Sequence, residues 1–235
     1  MWFKSNVVTN ALTYKITKTS DGKFAVNYWL NHQAKQILAD HVIIAVPEFV
    51  RKKIVSNELL PHGNFINNYM PWMVANITVN KYYESSHGIP LSWDNVIYGS
   101  DGLGYVNAMH QNLYQPAKQQ VFTYYKALCN GTAKQMRELA YNTSHKQWIK
   151  MVVDDLQKAH PGIEEQITNI DVWIWGHGMI LPEPGLKMAL QNATSTNDKL
   201  HLAHTDLSGI SIFEEAFHQG INVVNKIVDG TTLDS

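Results

Sequence analysis

The first forty-seven residues carry hydrophobic and polar positions that alternate as they do in β-strands. Residues 12–17 and 24–30 each alternate in this way, and Asp21-Gly22 between them is typical of a hairpin turn. Residues 42–46 are apolar throughout and are followed by Pro47, which predicts a strand buried on both faces within a larger sheet. The strands before it offer no obvious partners for such a sheet.

Two segments in the middle of the chain have the period of amphipathic helices. They span residues 132–141 and 144–160, and in the second Trp148, Val152 and Leu156 fall on one face. Ser144 and Gln147 have the spacing of a capping box, in which two side chains satisfy the first backbone N–H groups of a helix. Both segments are therefore predicted to be helices that bury one side.

Extended segments flank these helices. Residues 74–79 and 120–125 are predicted strands, and residues 167–175 alternate so that Val172 and Ile174 face one side and Trp173 and Trp175 the other. The sequence Gly176-His177-Gly178 is expected to end that strand.

The last part of the chain predicts a strand, a turn and a helix. Residues 200–204 form the strand, residues 205–210 a glycine-containing turn, and residues 211–229 a helix with apolar positions three and four apart. Strands and helices are thus mixed along the chain, so we expect an α+β or mixed α/β fold.

Composition limits the function classes. The 235 residues carry 19 basic and 20 acidic side chains, so no extended basic surface for nucleic acid is expected. No apolar run approaches the roughly 20 residues that span a bilayer, and the amino terminus has no signal-peptide pattern, so we expect a cytoplasmic protein without a transmembrane segment. Cys129 is the one cysteine, and His201 and His204 would point to opposite faces of a strand, so no metal site is predicted.

The predicted strand–turn–helix unit has features of an anion-binding site. Backbone N–H groups and the positive end of the helix dipole converge where residues 205–210 lead into the helix, and Asp206 offers a carboxylate to a ribose or ribityl hydroxyl. A second interpretation stays open, in which Asp206, Ser208 and Ser211 only cap the helix.

These residues also resemble a known family. Residues 204–220, HTDLSGISIFEEAFHQG, resemble the carboxy-terminal flavin-binding motif of the FAD-dependent flavin amine oxidase superfamily. Residues 39–47, ADHVIIAVP, resemble the strand of that family that ends in Ala-x-Pro beside the FAD. Residues 69–79 and 95–111 resemble segments of its substrate domain, so the resemblance covers most of the chain.

The resemblance implies an FAD-dependent oxidoreductase with a mixed-sheet substrate domain. It implies that residues 1–47 and 199–235 belong to the FAD-binding domain and residues 48–198 to the substrate domain. Asp206 would lie near the ribityl-pyrophosphate end of FAD, the Phe213 N–H near the flavin pyrimidine edge, and Leu12 near the adenine. The implied cofactor-binding residues are Leu12, Ala45, Pro47, Asp206, Ser208, Gly209, Ile212, Phe213 and Glu214.

Two departures from the family pattern matter. The family begins with a strand–Gly-x-Gly-x-x-Gly–helix unit that this chain does not contain, so we expect the chain to be the carboxy-terminal portion of a longer flavoprotein or to pair with an amino-terminal Rossmann half. Many amine oxidases carry a lysine near the flavin where this chain has Asn76, or Ile77 if the register shifts by one residue, which argues against amine oxidation but not against redox chemistry.

Three residues are candidates for a substrate pocket that would receive a small molecule. Asn76 takes the lysine-like position, Trp175 could build an aromatic wall of the pocket, and His177 lies where the family places residues facing the flavin. Trp175 and its neighbour Trp173 could equally be ordinary core residues, and His177 a loop histidine. Two other functions stay open: a non-catalytic chain that acts by binding a partner, and a binding module for a small apolar or sugar-like ligand.

Overall fold

The chain folds into two compact units in a computed structural model that describes residues 6–60, 68–80, 92–111, 119–186, 188, 190 and 199–233. The first unit contains Met1–Asn67 and Ile180–Ser235, and the second contains Asn68–Met179. This division follows contacts within the chain; the functional boundaries predicted after residues 47 and 198 stay predictions. No helix in the described ranges combines the length and apolarity that a membrane crossing requires.

The first unit begins with a three-stranded antiparallel sheet. Strand β1 (Leu12–Lys18) pairs with β2 (Phe24–Leu30) across the predicted hairpin, where Gly22 has a φ of 86°. Strand β3 (Gln33–Ala39) was not predicted, because its mostly exposed side chains show no alternation. It pairs with β2 through a two-residue turn in which Asn31 and His32 have positive φ.

A parallel pair of short strands forms the second layer of this unit. Strand β4 (Val42–Ile44) pairs with β10 (Leu200–Leu202), and helix α1 (Glu48–Ile54) and a 3-10 turn (Asn57–Leu59) follow β4. Val42, Ile44 and Leu200 join the core with Ile16 and Phe24 of the antiparallel sheet. The prediction that β4 is buried on both faces is wrong, because Ile43 is 46% exposed and the sheet has two strands within the described part of the chain.

Helix α4 (Phe213–Leu233), which the helical period predicts, closes the described chain and contacts β10. It begins two residues later than predicted, and the Ser211 hydroxyl accepts a hydrogen bond from the Ile180 N–H at 3.2 Å. Val223 is buried. Ile227 is half-buried, and five further large apolar side chains form a stripe at helical spacing that is 43% to 76% exposed: Phe213, Phe217, Ile221, Val224 and Val228.

The second unit is built on a five-stranded sheet in the order β6-β7-β8-β5-β9. Its strands are β5 (Tyr69–Val79), β6 (Asp94–Asn95), β7 (Gly104–Asn107), β8 (Gln120–Ala127) and β9 (Ile167–Ile180). Helices α2 (Ala133–Asn142) and α3 (His145–Ala159) pack on one face, and 3-10 turns span Ala108–Gln111 and Ile163–Gln166.

Strand alternation decides which side chains enter the core of this unit. Met73, Ala75 and Ile77 of β5 are fully buried together with Phe122 and Tyr124 of β8, and Trp148, Val152 and Leu156 of α3 pack onto them. Both helices start with a capping box, the predicted Ser144–Gln147 pair and a second pair, Thr132–Gln135.

Strand β9 corrects two expectations. It runs on through residues 176–178, because Gly176 and Gly178 leave room for the Tyr141 hydroxyl and the Trp72 ring where a Cβ would collide. The core interpretation of Trp173 and Trp175 is wrong as well, since they are 59% and 58% exposed.

A buried carboxylate ties α3 to the sheet. The Asp155 carboxylate accepts hydrogen bonds from the Ser100 hydroxyl, from the Tyr124 hydroxyl at 2.8 Å and from the Lys158 ammonium at 2.8 Å. Burial alone would raise the pKa of Asp155, but the hydrogen bonds from Lys158, Ser100 and Tyr124 outweigh burial and lower it. Burial and the bond to Asp155 raise the pKa of Tyr124.

We expect Asp155→Ala to lower the free energy of unfolding by about 2–3 kcal/mol, because three donors lose a charged acceptor. Asp154→Ala is the matched control, since its exposed pair with Lys150 lies on the same helix and should contribute under about 1 kcal/mol. Urea denaturation followed by circular dichroism measures both values. Equal losses in the two variants would contradict the structural role of Asp155.

The half-buried histidine His160 predicts an acid-sensitive fold. Nε2 of His160 lies 2.6 Å from the Tyr105 hydroxyl, and its ring stacks on Phe122 at a centroid distance of 5.5 Å. Burial lowers the pKa of His160 and raises the pKa of Tyr105 to about 12. The folded chain therefore takes up a proton at this imidazole less readily than the unfolded chain does.

As the pH falls below about 6.5, the ordinary histidine pKa, the unfolded state gains a proton that the folded state resists, so stability decreases. In His160→Gln, which keeps a polar side chain but does not titrate, the free energy of unfolding should depend less steeply on pH below 6.5. Urea titrations of both proteins over this pH range measure the free energy of unfolding at each pH. The same pH dependence in both proteins would exclude His160 as the source of the acid sensitivity.

Candidate functional site

The carboxyl ends of the two parallel strands meet at one edge of the first unit. Leu200 pairs with Val42 and Leu202 with Ile44, and the Ala203 N–H donates to the Ile44 carbonyl at 2.9 Å. The chain then leaves β4 through Ala45 and Pro47 and leaves β10 through residues 203–212. Ligands of α/β proteins commonly bind at such an edge, where loops follow the ends of parallel strands.

Asp206 connects the two loops directly. The residue is 4% exposed, and its Oδ2 accepts a hydrogen bond from the Glu48 N–H at 2.8 Å. The Asp206 N–H in turn donates to Nδ1 of His204 at 3.1 Å. The buried carboxylate thus holds the loop after β10 against the first turn of α1, which makes Asp206 a residue that positions the loop.

The loop itself is shaped by hydrogen bonds and one close approach. It starts with a 3-10 turn (Thr205–Leu207), and the Ser208 hydroxyl donates to the Thr205 carbonyl at 2.9 Å. Gly209 has a φ of 74°, and a Cβ there would lie 2.9 Å from Cδ2 of Leu186. A side chain at Gly209 would therefore meet both backbone strain and a packing conflict.

This loop delivers the amino terminus of α4 to the surface. Ile212, Phe213 and Glu214 are exposed, with Phe213 at 76%. The first N–H groups of an α-helix have no acceptor within the helix, and they carry the positive end of its dipole. A 21-residue helix that begins here can accordingly stabilise negative charge on a bound group.

The structure brings together most of the predicted cofactor-binding residues. Ala45 and Pro47 follow β4, and Asp206, Ser208 and Gly209 follow β10 at the same edge. Ile212, Phe213 and Glu214 continue from that loop into α4. Leu12 begins β1 in the other sheet of the unit and is exposed there.

The predicted substrate-pocket residues lie in the second unit. Asn76 alternates with the core residues Ala75 and Ile77, and Trp175 alternates with Ile174, which packs against the same core. Asn76 and Trp175 therefore share the sheet face opposite the helices. The His177 ring makes an edge contact with the Tyr69 ring at a centroid distance of 5.8 Å.

This open face is polar at its centre and aromatic around it. The Thr123 hydroxyl donates to Oδ1 of Asn76 at 2.8 Å on the neighbouring strand, and the rings of Trp72 and Tyr125 stack at 6.5 Å. Burial and a hydrogen bond to Asp94 raise the pKa of Tyr125 to about 12, so its hydroxyl is neutral and does not act as a base near neutral pH.

Two pairs of charged or titratable residues were missed from the sequence. Arg51 and Glu48 form a buried ion pair on α1, for which their spacing of three residues is a signal. Nδ1 of His41 lies 3.0 Å from Nε2 of His201, a pairing that depends on the parallel register and leaves no local signal. In the described part of the chain, no group of three or more His, Cys, Asp or Glu side chains is arranged to hold a metal.

The chain resembles known proteins in its structure. No protein-family profile and no curated protein sequence matches the chain. Its structure is similar to cyclohexylamine oxidase from Brevibacterium oxydans IH-35A, with a TM-score of 0.67 and 13% identity over 94% of this chain and 48% of that chain. It is also similar to the protein described as "putative protoporphyrinogen oxidase" from Exiguobacterium sp. 255-15, with a TM-score of 0.55 and 13% identity over 92% of this chain and 47% of that chain.

The chain spans about half the length of these two solved structures. The match includes nearly all of the chain, both the unit with the parallel strand pair and the unit with the five-stranded sheet. The resemblance to flavin amine oxidases that the sequence predicts is confirmed at the level of the fold.

Proposed function

We propose that this chain forms part of an FAD-dependent oxidoreductase that oxidises a small organic substrate by hydride transfer. The observation that carries the proposal is the edge of the parallel pair, where Asp206 joins the loops after β4 and β10 and α4 begins. FAD, when bound, supplies the ring system that accepts the hydride. The likeness to cyclohexylamine oxidase supports this assignment through the fold.

The residues at this edge fit a flavin nucleotide in distinct ways. The Phe213 N–H and the dipole of α4 would stabilise negative charge on the pyrimidine side of a reduced flavin. Ser208 and Gly209 give the loop its tight shape, and Ala45 and Pro47 would lie along the cofactor. Asp206 would act by holding the loop, because its carboxylate is buried and bonded to the Glu48 N–H.

We propose that an amino-terminal strand–glycine loop–helix unit completes the cofactor site. Parallel strands are normally covered on both faces, yet among the described residues β4 and β10 pair only with each other, and Ile43 is exposed. The stripe on α4 is exposed as well. A further βαβ unit would cover such surfaces and supply the phosphate-binding loop that the sequence of this chain does not contain.

The open face of the five-stranded sheet is the proposed substrate side. Trp173 and Trp175 offer apolar area, and Asn76 offers an amide whose oxygen is already bonded to Thr123. The Asn76 NH₂ group would therefore donate to an acceptor on the substrate.

The proposal is tested by adding FAD to the purified chain, removing free cofactor by gel filtration and recording the visible spectrum. We expect flavin bands that bleach on reduction. Phe213→Pro removes one N–H at the first helical position, where proline is well tolerated, and should weaken FAD binding by about tenfold, the equivalent of one charge-assisted hydrogen bond. Phe213→Ala is the matched control, because it removes the ring and keeps the N–H.

Equal FAD affinity in the proline and alanine variants would contradict the role assigned to the α4 amino terminus. A chain that retains no flavin at all would contradict a cofactor site built from these residues alone. It would indicate either that the site needs the proposed amino-terminal unit, which is then tested by supplying that unit, or that the chain is non-catalytic and acts through a partner or another ligand. Circular dichroism of both variants should show unchanged helix content.

A further inference from the structure

Two cavities adjoin on the helix-covered side of the five-stranded sheet, and each has a volume of about 310 Å³. We call them the apolar cavity, between the end of β8 and helices α2 and α3, and the polar cavity, between α3, β8 and residues 100–102. Lys126, Gln147 and Met151 line both of them. Volumes of this size are at the lower end of those found for small-molecule sites.

Carbon and sulfur atoms dominate the wall of the apolar cavity. Leu128 and Trp148 are buried, Met136 and Met151 are half-buried, and Leu139 at the rim is exposed. The Trp148 Nε1–H donates to the Ala140 carbonyl at 3.4 Å, so its polar atom has an acceptor within the fold. Such a wall suits an alkyl or aryl group, and the methionines can adapt to its shape.

Lys126 is the one charged side chain that lines the apolar cavity. On β8 it follows Phe122 and Tyr124 at alternate positions, which places it on the side of the sheet that the helices cover. Lys150 and Lys158 of the polar cavity have ion pairs, with Asp154 at 2.5 Å and Asp155 at 2.8 Å. Within the described residues, Lys126 has neither an ion pair nor a side-chain hydrogen bond.

We propose that these adjoining cavities bind an amphipathic monocarboxylate. Its apolar body occupies the apolar cavity, and its carboxylate lies on the Lys126 ammonium in the shared wall. A half-buried ammonium without an acidic partner gains from such an anion, and the neighbouring lysines are already neutralised. The proposal concerns the second unit alone and does not depend on FAD.

Isothermal titration calorimetry of the full chain with decanoate, kept below its micelle concentration, tests this site. We expect saturable binding of one molecule, and clearly weaker binding of decanol and of decyltrimethylammonium. Lys126→Met keeps the length of the side chain and removes its charge, and it should weaken decanoate binding at least about tenfold. Lys126→Arg should restore most of the affinity.

Lys150→Met is the matched control, because Lys150 lines the polar cavity but is paired with Asp154. Its decanoate affinity should stay within about twofold of the unmodified chain. Asp101→Asn should not weaken decanoate binding either, whereas a site for cations would lose its ligand in this variant.

Cys129 provides an independent readout, since it is exposed, lines the apolar cavity and is the one cysteine in the sequence. Decanoate should slow its alkylation by N-ethylmaleimide in the unmodified chain and much less in Lys126→Met. Equal affinities for decanoate and decanol, unchanged binding by Lys126→Met, or uptake without saturation would each overturn the proposal. Circular dichroism identifies a misfolded variant. If Lys126→Met does not fold, the comparison of decanoate with decanol and decyltrimethylammonium on the unmodified chain still tests the proposal.

Discussion

The fold of the first unit depends on the parallel pairing of β4 with β10. Only three residues of each strand take part, and the hydrogen bond from the Glu48 N–H to Asp206 beside them joins residues 158 positions apart. Closing so long a loop costs conformational entropy, and the hydrogen bonds of the short β4–β10 pairing alone do not offset that cost. The buried Asp206 carboxylate and the apolar contacts of Val42, Ile44 and Leu200 with the antiparallel sheet supply further stabilisation. The edge from which α4 starts exists because these contacts hold.

The first unit exposes apolar surface both at the parallel pair and along α4. A parallel ladder is normally buried on both faces, yet Ile43 and the stripe on α4 remain open to solvent. Burying a large aliphatic or aromatic side chain stabilises a fold by about 1.5–3 kcal/mol, so five such residues along one helix represent a considerable unused driving force for association. Exposed patches of this kind commonly mark interfaces. The exposed apolar surface and the half-length match to two solved oxidases thus both support the proposed amino-terminal unit.

Elements with local signals were predictable from the sequence, and elements held by distant contacts were not. The hairpin at Gly22 and the helix with the Ser144–Gln147 box follow from turn and capping residues a few positions apart. Strand β3 shows no alternation because both of its faces are exposed. Strand β9 continues through two glycines because the Tyr141 hydroxyl and the Trp72 ring occupy the space where their side chains would lie. Among the site residues, the loop after β10 was recognised from its motif. The buried bond of Asp206 to Glu48 depends on register and could not be read from the chain.

Alternation along β8 gives the two faces of the second unit different chemistry. Thr123 and Tyr125 face the open side, together with Asn76 and the exposed tryptophans. Phe122 and Tyr124 face the helices, and Lys126 continues that row to the point where the core ends and the cavities begin. A lysine at the end of a buried row can extend its stem along apolar atoms and present its ammonium at the boundary. A register shift of one residue would exchange these faces and place the charge among the aromatic side chains, so the core packing of Phe122 and Tyr124 fixes the position of both surfaces.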